Sequence, residues 1–381
     1  MTSAEKKTLV IFTDWYVPGF RAGGPIRSVH NIARLLSEDY NIKIVTRNTD
    51  YGSSEPYPGI TPDEWLQVDG HEVMYLSEQN TGFKTIRKLC KASAGNSMLI
   101  NGLFSFYFSI LPMFLRFMGN TQVTLIAVRG MLHRSALAVK PFKKQLFIAF
   151  ARGLGLFKNF TLLASSEYEK DEIQKSLGKQ NIRIVPNVPE VPEATLRQRK
   201  FKANGILSIV FLGRISPEKN PIALAKALNT IKFGLSVKFI GSNIDINYSN
   251  QFESVLKNLP DNIVVERINE MPNEAVKRVL SETDVMVLPS HGENFGHAIY
   301  ESFAACVPVI IGNNTPWKDI EEKKAGIEVV PDDIDAISQA IKRFNEMDDT
   351  IYREWQTGAG EAAKAYFSNN NFREQYLSIL A

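Results

Sequence analysis

The sequence alternates short apolar runs with segments of helical periodicity, and this alternation occurs twice along 381 residues. In the first half, runs that predict strands fall at residues 8–13, 42–46, 73–76, 98–101, 121–128, 161–164 and 182–185. In the second half they fall at residues 207–212, 236–240, 263–267, 284–288 and 308–311. Parallel strands need crossover connections, which are usually helices, so strands separated by helices are typical of parallel sheets. The pattern therefore predicts an α/β protein.

The length of the chain and one break in its pattern predict two domains. A single core seldom organises this many residues, and residues 185–205 contain three prolines and no periodic apolar face. We predict an N-terminal domain over residues 1–190 and a C-terminal domain over residues 200–362. Each is expected to be a doubly wound Rossmann-like sheet, and the two to face each other across a cleft. Such sheets bind ligands at the carboxyl ends of their strands, so chemistry is expected in the strand-to-helix loops.

Cysteine content and apolar runs predict a soluble protein of a reducing, cytoplasmic compartment. Cys90 and Cys306 are the two cysteines of the chain, and they have no metal-ligand spacing. The best candidate for a membrane span is residues 102–119, which contain Pro112. Its uncharged part is about 13 residues long, short of the roughly 20 that a spanning helix needs.

Charge is distributed unevenly along the chain. Between Glu78 and Glu167 there are twelve lysines and arginines and no aspartate or glutamate. One interpretation is a basic surface that serves solubility; another is a face for an anionic lipid or a phosphorylated acceptor, with Arg134, Lys143 and Lys144 as candidate contacts. We do not expect a nucleic-acid partner, because no binding motif accompanies the charge. On the lipid interpretation, the protein would contact the inner face of the cell membrane.

The loop in "LPSHGENFGHAIYESFAACVPV" contains the strongest candidate site. Glu293 precedes a predicted helix and Glu301 lies inside it, while the backbone amides of residues 294–296 would stand at the positive end of that helix. Carboxylates suit paired hydroxyl groups, and helix N-termini suit phosphate, so the pattern favours a nucleotide sugar. Two alternatives remain: the early glutamate could simply favour the helix dipole while the other is solvated, or His291, Glu293 and His297 could form a metal cluster.

Two further loops could contact the same ligand. In "GRISPEKNP", Arg214 and Lys219 precede a helix and would clamp a diphosphate; alternatively, Arg214 forms a surface ion pair with Glu218. In "YVPGFRAGGPIRS", Gly23 and Gly24 follow the first strand and permit close approach of the backbone to a ligand.

These motifs together resemble the retaining, nucleotide-sugar-dependent glycosyltransferases of family 4, which have the GT-B fold. The resemblance rests on "GRISPEKN", "VLPSHGENFGHAIYESFAACVPV" and "GFRAGGPIRS". The segments "NNTPWKDIEEKKAGIEVV" and "VRGMLHRSALAVKPFKK" are similar to members that build bacterial surface polysaccharides such as capsule, O-antigen or exopolysaccharide. The resemblance covers both halves of the chain.

The resemblance implies a role for each candidate residue. Glu293 would contact the hydroxyls of the donor sugar and Glu301 those of the ribose. Arg214 and Lys219 would neutralise the leaving diphosphate, so no metal or other cofactor would be needed. The backbone of Asn294, Phe295 and Gly296, with Gly23 and Gly24, would line the donor, which is a UDP- or GDP-sugar. Base recognition would fall near Met271 or at Gly241 and Ser242. A terminal helix at about 363–381 would pack back on the N-terminal, acceptor-binding domain.

The sequence departs from the family pattern at two positions. Relatives carry a histidine after the strand that corresponds to "TLIAV", whereas this chain has Arg129 there and His133 further on. Either residue could take that role; we favour Arg129, and the alternative is that Arg129 belongs to the basic surface. The second departure is Cys306, which stands where a glycine is usual.

The predicted function is transfer of a sugar, with retention, from a nucleotide sugar to a lipid-linked or oligosaccharide acceptor. Two alternatives use the same fold or site: a nucleotide-sugar epimerase or phosphorylase, and a non-catalytic subunit that binds sugar nucleotides.

Overall fold

The computed structural model describes residues 6–119, 123–133, 136–137, 141–192, 200–243 and 245–381. The chain divides into two compact units. The first comprises Met1–Pro189 and Asn371–Ala381, and the second comprises Glu190–Asn370. Each unit has its own sheet and its own apolar core.

The first unit is built on an eight-stranded sheet in the order β3-β4-β2-β1-β5-β6-β7-β8. Its strands are β1 (Lys7–Thr13), β2 (Tyr40–Arg47), β3 (Trp65–Val68), β4 (His71–Leu76), β5 (Ser97–Asn101), β6 (Thr124–Ala127), β7 (Thr161–Ala164) and β8 (Ile182–Ile184). Its helices are α1 (Gly24–Leu36), α2 (Phe83–Ala92), α3 (Leu111–Met118, preceded by a π-helical stretch, Phe106–Ile110), α4 (Pro141–Gly153) and α5 (Glu167–Leu177). Neighbouring strands are parallel except for the antiparallel edge pair β3–β4.

The second unit is built on a six-stranded parallel sheet in the order β11-β10-β9-β12-β13-β14. Its strands are β9 (Leu207–Leu212), β10 (Leu235–Ile240), β11 (Ile263–Ile268), β12 (Val285–Leu288), β13 (Val309–Gly312) and β14 (Gly326–Val329). Its helices are α6 (Pro221–Leu228), α7 (Ile246–Leu256), α8 (Asn273–Ser281), α9 (His297–Ala304), α10 (Ile334–Glu346) and α11 (Asp349–Asn369). Counted from β9, this is the 3-2-1-4-5-6 order of the dinucleotide-binding fold.

Helix boundaries follow from local sequence. Helix α1 has Pro25 in its first turn and buries one stripe that includes Ile26, Val29 and Ile32. Helix α5 begins at a serine cap, where the Ser166 side chain accepts a hydrogen bond from the Glu169 amide.

The structure confirms all twelve predicted strands, with shifts of a few residues at their ends. For the strand predicted at 121–128, residues 121 and 122 lie outside the described residues, and β6 begins at Thr124. Two strands were not predicted. Strand β3 is an edge strand, and its Trp65 is exposed. Strand β14 begins at Gly326, where a Cβ atom would lie 2.4 Å from the Val309 carbonyl oxygen. Neither has the continuous apolar run of a buried parallel strand.

The helix that belongs to the first unit at the end of the chain begins later than the predicted residue 363. Helix α11 runs on to Asn369 within the second unit, where Tyr366 packs against Trp317 with ring centroids 5.1 Å apart. The last helix, α12 (Phe372–Leu380), belongs to the first unit. Arg373 forms a bidentate contact with Asp39 there, at 2.7 and 2.8 Å.

The helices and the two cysteines bear on membrane and disulfide features. Across the ranges that the structure describes, no helix is both long and apolar enough to cross a bilayer. Cys90 and Cys306 are buried and free. Cys306 has a positive φ of 57°, which explains why a glycine would suit this helix-to-strand turn.

Candidate functional site

The carboxyl ends of β9 and β12 mark the switch point of the second sheet. The chain leaves β9 in one direction to β10 and β11, then returns to the other side of β9 to form β12. Loops that leave two such neighbouring strands diverge and leave room for a ligand at the sheet edge. Residues 213–220 follow β9 and residues 289–296 follow β12, so both predicted donor-binding loops start at this point.

Lys219 and Glu293, one from each loop, form an ion pair at this point. Lys219 Nζ donates to both carboxylate oxygens of Glu293 at 2.7 Å. The side chains are 16% and 8% exposed, so water screens the pair only weakly. The structure thus brings together two residues that the sequence placed in separate loops.

Hydrogen bonds to backbone carbonyl groups join the two loops. The carbonyl oxygen of Glu218 accepts a hydrogen bond from the His291 amide at 2.8 Å and one from the Ser290 hydroxyl at 3.1 Å. The Glu293 amide donates to the Asn314 carbonyl at 3.2 Å, which joins this loop to the one after β13. Glu293 is therefore fixed at its backbone as well as at its carboxylate.

Arg214 lies in the same loop as Lys219 but has a different partner. Its guanidinium is 3.4 Å from the carboxylate of Glu218, and both side chains are exposed. This is the surface ion pair that the sequence left open as an alternative. An exposed pair of this kind is weak, so Glu218 holds Arg214 only loosely.

Gly296, the residue that precedes helix α9, has a positive φ of 79°. The Phe295 ring is buried against Tyr300 and Trp317, and the Phe295 carbonyl accepts from the Trp317 indole at 2.6 Å. The ring therefore serves packing, and the predicted ligand contacts at residues 294–296 are left to the backbone amides. Glu301 lies one helical turn into α9 and is partly buried.

The predicted base-binding residues differ in their surroundings. Gly241 lies so close to the first loop that a Cβ there would be 1.8 Å from the Gly213 carbonyl oxygen. The Ser242 carbonyl accepts from the Ile215 amide at 2.9 Å, so the loop after β10 joins the same edge. Met271 packs against the core of the second unit.

The metal alternative is not supported by the arrangement of side chains. Among the described residues, no three His, Cys, Asp or Glu side chains are grouped to hold a metal ion. His291 instead lies 3.5 Å from Asp332.

In the first unit, Gly23 and Gly24 lie where β1 leads into α1. Gly23 has a φ of 64°, and a Cβ added there would meet nothing within 4 Å, so its backbone conformation rather than space favours glycine. The preceding loop is anchored by Asp50, whose carboxylate accepts from the Phe20 and Arg21 amides at 2.8 and 3.2 Å.

Arg129 belongs to a hydrogen-bonded network of the first unit. Its Nε donates to the Asn101 side chain at 3.0 Å, at the end of β5, and its Nη1 donates to the Asn187 side chain. The Arg129 guanidinium also faces Tyr376 of α12. Complete burial raises the pKa of Tyr376. Arg129 is thus held by hydrogen bonds at the carboxyl ends of the strands and is not part of an exposed basic surface. His133 lies 3.9 Å from Glu172 and is half-exposed.

The three basic residues predicted to form an acceptor or membrane face differ in exposure and in their contacts. Lys143 is exposed, whereas Lys144 donates to the Ala136 carbonyl at 2.6 Å and is partly buried. Arg134 lies outside the described residues.

Sequence reasoning missed two residues that shape these edges. Asn220 has a left-handed backbone and donates to the Pro331 carbonyl at 2.9 Å and to Asp332 at 3.0 Å. Asp14 accepts from Ser105 at 2.7 Å and pairs with Arg47 at 2.5 Å. The available signal was position: Asp14 directly follows β1, and Asn220 directly precedes α6 in the loop that leaves β9, where polar side chains gather at the carboxyl ends of the strands.

Comparison with known proteins adds to this geometry. Residues 192–362 match the family Glycosyl transferases group 1. That region contains the whole switch-point site, including Lys219, Glu293 and Glu301.

Two curated bacterial proteins are similar in sequence. The chain is 25% identical over 253 residues to the putative teichuronic acid biosynthesis glycosyltransferase TuaC of Bacillus subtilis, covering 61% of each chain. It is 28% identical over 181 residues to an uncharacterized 41.2 kDa protein in the cps region of Klebsiella pneumoniae, covering 46% of this chain and 48% of that one. The matches thus span about three fifths and about half of these relatives.

Several solved structures are similar to this chain in fold. Sucrose-phosphate synthase from Thermosynechococcus elongatus superposes with a TM-score of 0.70 at 17% identity, over 98% of both chains. Anabaena HepE in complex with UDP and glucose gives 0.71 at 12%, over 98% of this chain and 99% of that one. WaaG, a glycosyltransferase involved in lipopolysaccharide biosynthesis, gives 0.64 at 13%, over 97% and 98%. These likenesses show the fold: two Rossmann-like domains of the GT-B type.

Proposed function

We propose that this protein is a nucleotide-sugar-dependent glycosyltransferase of bacterial surface polysaccharide biosynthesis. The second unit binds a UDP- or GDP-sugar, and the first unit binds a lipid-linked or oligosaccharide acceptor. The reaction transfers the sugar with retention, as in family 4, and requires no metal ion.

One observation carries this proposal: the Lys219–Glu293 ion pair at the switch point of a sheet that matches group 1 glycosyltransferases. A cation and a carboxylate at this edge suit a ligand that has a diphosphate beside a polyol. Carboxylates accept from vicinal hydroxyls, and the ammonium of Lys219 attracts phosphate oxygens. The relatives support the pathway, since one is a putative teichuronic acid glycosyltransferase.

In the proposed reaction, the bond between the anomeric carbon and the diphosphate oxygen breaks. The acceptor oxygen bonds to the anomeric carbon on the same face, and the acceptor proton passes to the departing diphosphate. Negative charge builds up on the leaving group, so Lys219 and Arg214 stabilise the transition state more than the bound donor. The amides of residues 294–296, at the start of α9, add their dipoles to the same task.

The remaining residues orient the donor and acceptor. Glu293 accepts from hydroxyls of the sugar and Glu301 from hydroxyls of the ribose, while Gly23 and Gly24 leave room near the reacting carbon. Arg129, held by Asn101, takes the place of the family histidine near the sugar. A UDP-sugar is the first donor to try, because structures of similar fold include HepE with UDP-glucose.

The experiment is a thermal-shift screen of the purified chain with UDP-, GDP- and ADP-sugars, with and without EDTA. A ligand at 100 times its Kd stabilises the folded state by about 2.7 kcal/mol, a clear rise in melting temperature. We expect one nucleotide class to raise the melting temperature equally in both conditions. Absence of any shift would contradict the donor-binding site, and a shift abolished by EDTA would contradict metal independence.

Transfer itself is tested with the donor that binds. Product analysis by NMR after incubation with polyprenyl-diphosphate-linked sugars should show a new glycosidic bond with the anomeric configuration of the donor. Donor consumed without an acceptor product would instead indicate an epimerase or a hydrolase.

A further inference from the structure

Helix α4 exposes an apolar ridge, which we define as Phe142, Leu146 and Phe150. These side chains are 78%, 61% and 58% exposed. Residues four apart on a helix lie on the same face, so the three form one continuous line along α4. Large apolar side chains grouped on a helix face normally turn to the core, so an exposed group of this kind indicates a binding surface.

The opposite face of α4 is already packed, so the ridge cannot turn inward. Ala151 is fully buried, and the Phe147 ring meets Phe104 and Phe157 edge-on, with ring centroids 5.9 and 6.5 Å apart. A rotation of α4 that buried the ridge would break these contacts. Helix α4 is thus apolar on both its inner face and part of its outer face.

The charged side chains of α4 are all basic. Lys143 and Arg152 are exposed on α4, within the 79–166 stretch that has no acidic residue. The same stretch contains seven of the fifteen large hydrophobic side chains that are exposed among the described residues: Phe83, Phe106, Met118, Phe142, Leu146, Phe150 and Leu154. Apolar exposure and positive charge therefore concentrate in the same part of the sequence.

We propose that α4 docks on an anionic lipid bilayer, with the ridge inserted among the acyl chains and Lys143 and Arg152 at the headgroups. Interfacial helices combine these two features: aromatic and aliphatic residues on one side and lysine or arginine beside them. A second copy of the chain is a poorer occupant, because pairing of two ridges would bring the flanking cations of both copies together.

The role of this surface rests on the proposed function, in which the acceptor is lipid-linked and remains in the membrane. Docking through α4 would place the first unit, with its acceptor site, at the plane where that lipid is found. Binding to vesicles requires no sugar nucleotide, so it can be measured independently of transfer.

The test is co-sedimentation of the full chain with vesicles of phosphatidylcholine, alone or with phosphatidylglycerol, at low and high salt. We compare the wild type with Phe142→Gln/Leu146→Gln/Phe150→Gln. A matched control is Ile246→Gln, which removes a side chain that is 77% exposed in the second unit. Each phenylalanine that inserts should add about tenfold or more to the partition constant. The triple variant should therefore lose at least about 100-fold, and the control should bind as the wild type does.

Charge is tested with Lys143→Gln/Arg152→Gln. Each cation adds roughly fivefold to binding of anionic vesicles at low salt, so this variant should lose about 25-fold there. Wild-type binding should also weaken at high salt, because salt screens the headgroups. Equal affinity for neutral and anionic vesicles would overturn the choice of an anionic surface.

Insertion is distinguished from surface adsorption with Phe150→Trp and lipids brominated on their acyl chains. Additional fluorescence quenching in this variant, relative to wild type, supports insertion; quenching equal to wild type overturns it. Two other results would also overturn the proposal: vesicle binding unchanged in the triple variant, or a wild-type dimer that the triple variant converts to a monomer. Donor-induced thermal shifts in the same variant report on the proposed function separately, and we expect them to be unchanged.

Discussion

Lys219 Nζ contacts both carboxylate oxygens of Glu293 at 2.7 Å, across the point where the second sheet reverses its strand order. The pair has two consequences. Without a ligand, each side chain neutralises the charge of the other in a poorly hydrated place. On the proposed function, a bound diphosphate would give Lys219 a second anion and would release Glu293 to accept from hydroxyl groups.

The first prediction is that the two residues are energetically coupled. Lys219→Met or Glu293→Gln alone leaves a charge with little water and no partner, whereas the double variant leaves none. We expect a coupling energy of about 1.5–3 kcal/mol, measured as a double-mutant cycle by urea unfolding without ligand.

A matched control for this cycle is the exposed pair Lys342–Glu346, 3.7 Å apart on α10. Its coupling should stay below about 0.5 kcal/mol, because water screens both charges. Additive effects of Lys219→Met and Glu293→Gln would show that the pair contributes no specific stability.

The second prediction concerns catalysis by the two cations of the first loop. On the proposed function, Arg214→Ala and Lys219→Ala would each remove one charge-assisted contact with the diphosphate. We expect each to lower kcat/KM about 10- to 150-fold, or about 1.5–3 kcal/mol. Lys226→Ala, an exposed lysine on the following helix, serves as the control and should leave kcat/KM unchanged. Initial rates with the identified donor provide the measurement; wild-type rates in both loop variants would rule out the diphosphate clamp.

Strand positions could be predicted from sequence because their signal is local. A buried parallel strand needs an apolar run, and β9 has one at residues 209–212 and β7 at residues 162–164. Strand β3 was not predicted because it is a partly exposed edge strand, and such a strand needs no continuous apolar run. The prediction of a phosphate and polyol ligand also rests on a local signal, the glycines, cations and glutamates at strand ends.

Pairing within the site could not be predicted in the same way. Lys219 and Glu293 are 74 residues apart in sequence, and they meet only because β12 returns to lie beside β9. The contacts of Arg129 with Asn101 and Asn187 likewise depend on which strands are neighbours. The exposed ridge on α4 could not be predicted for another reason. An amphipathic pattern shows that a helix has an apolar face, but it does not show that a second apolar face is exposed to water.

The third prediction is that Gly241 tolerates no side chain. Its φ is 155°, and a Cβ would lie 1.8 Å from the Gly213 carbonyl oxygen, so the loop before Arg214 must shift. Gly241→Ala should cost about 1–3 kcal/mol of unfolding free energy and weaken donor binding. Gly292→Ala is the control, because the nearest atom to its Cβ would be 3.9 Å away. Urea unfolding measures both; equal stability of the two variants would contradict the close approach.

The fourth prediction concerns pH and His71 in the first unit. His71 is buried with Nε2 2.5 Å from the Tyr16 hydroxyl, and its pKa is lowered chiefly by burial and further by His30, against an opposing effect of Asp69. The unfolded state therefore takes up a proton near pH 6.5 that the folded state resists, so the free energy of unfolding should fall as pH drops from 7 to 5. His71→Gln should remove that part of the slope, whereas His291→Gln, at a half-exposed site, should retain it. Urea midpoints at each pH measure the slope, and identical slopes in wild type and His71→Gln would show that another group governs it.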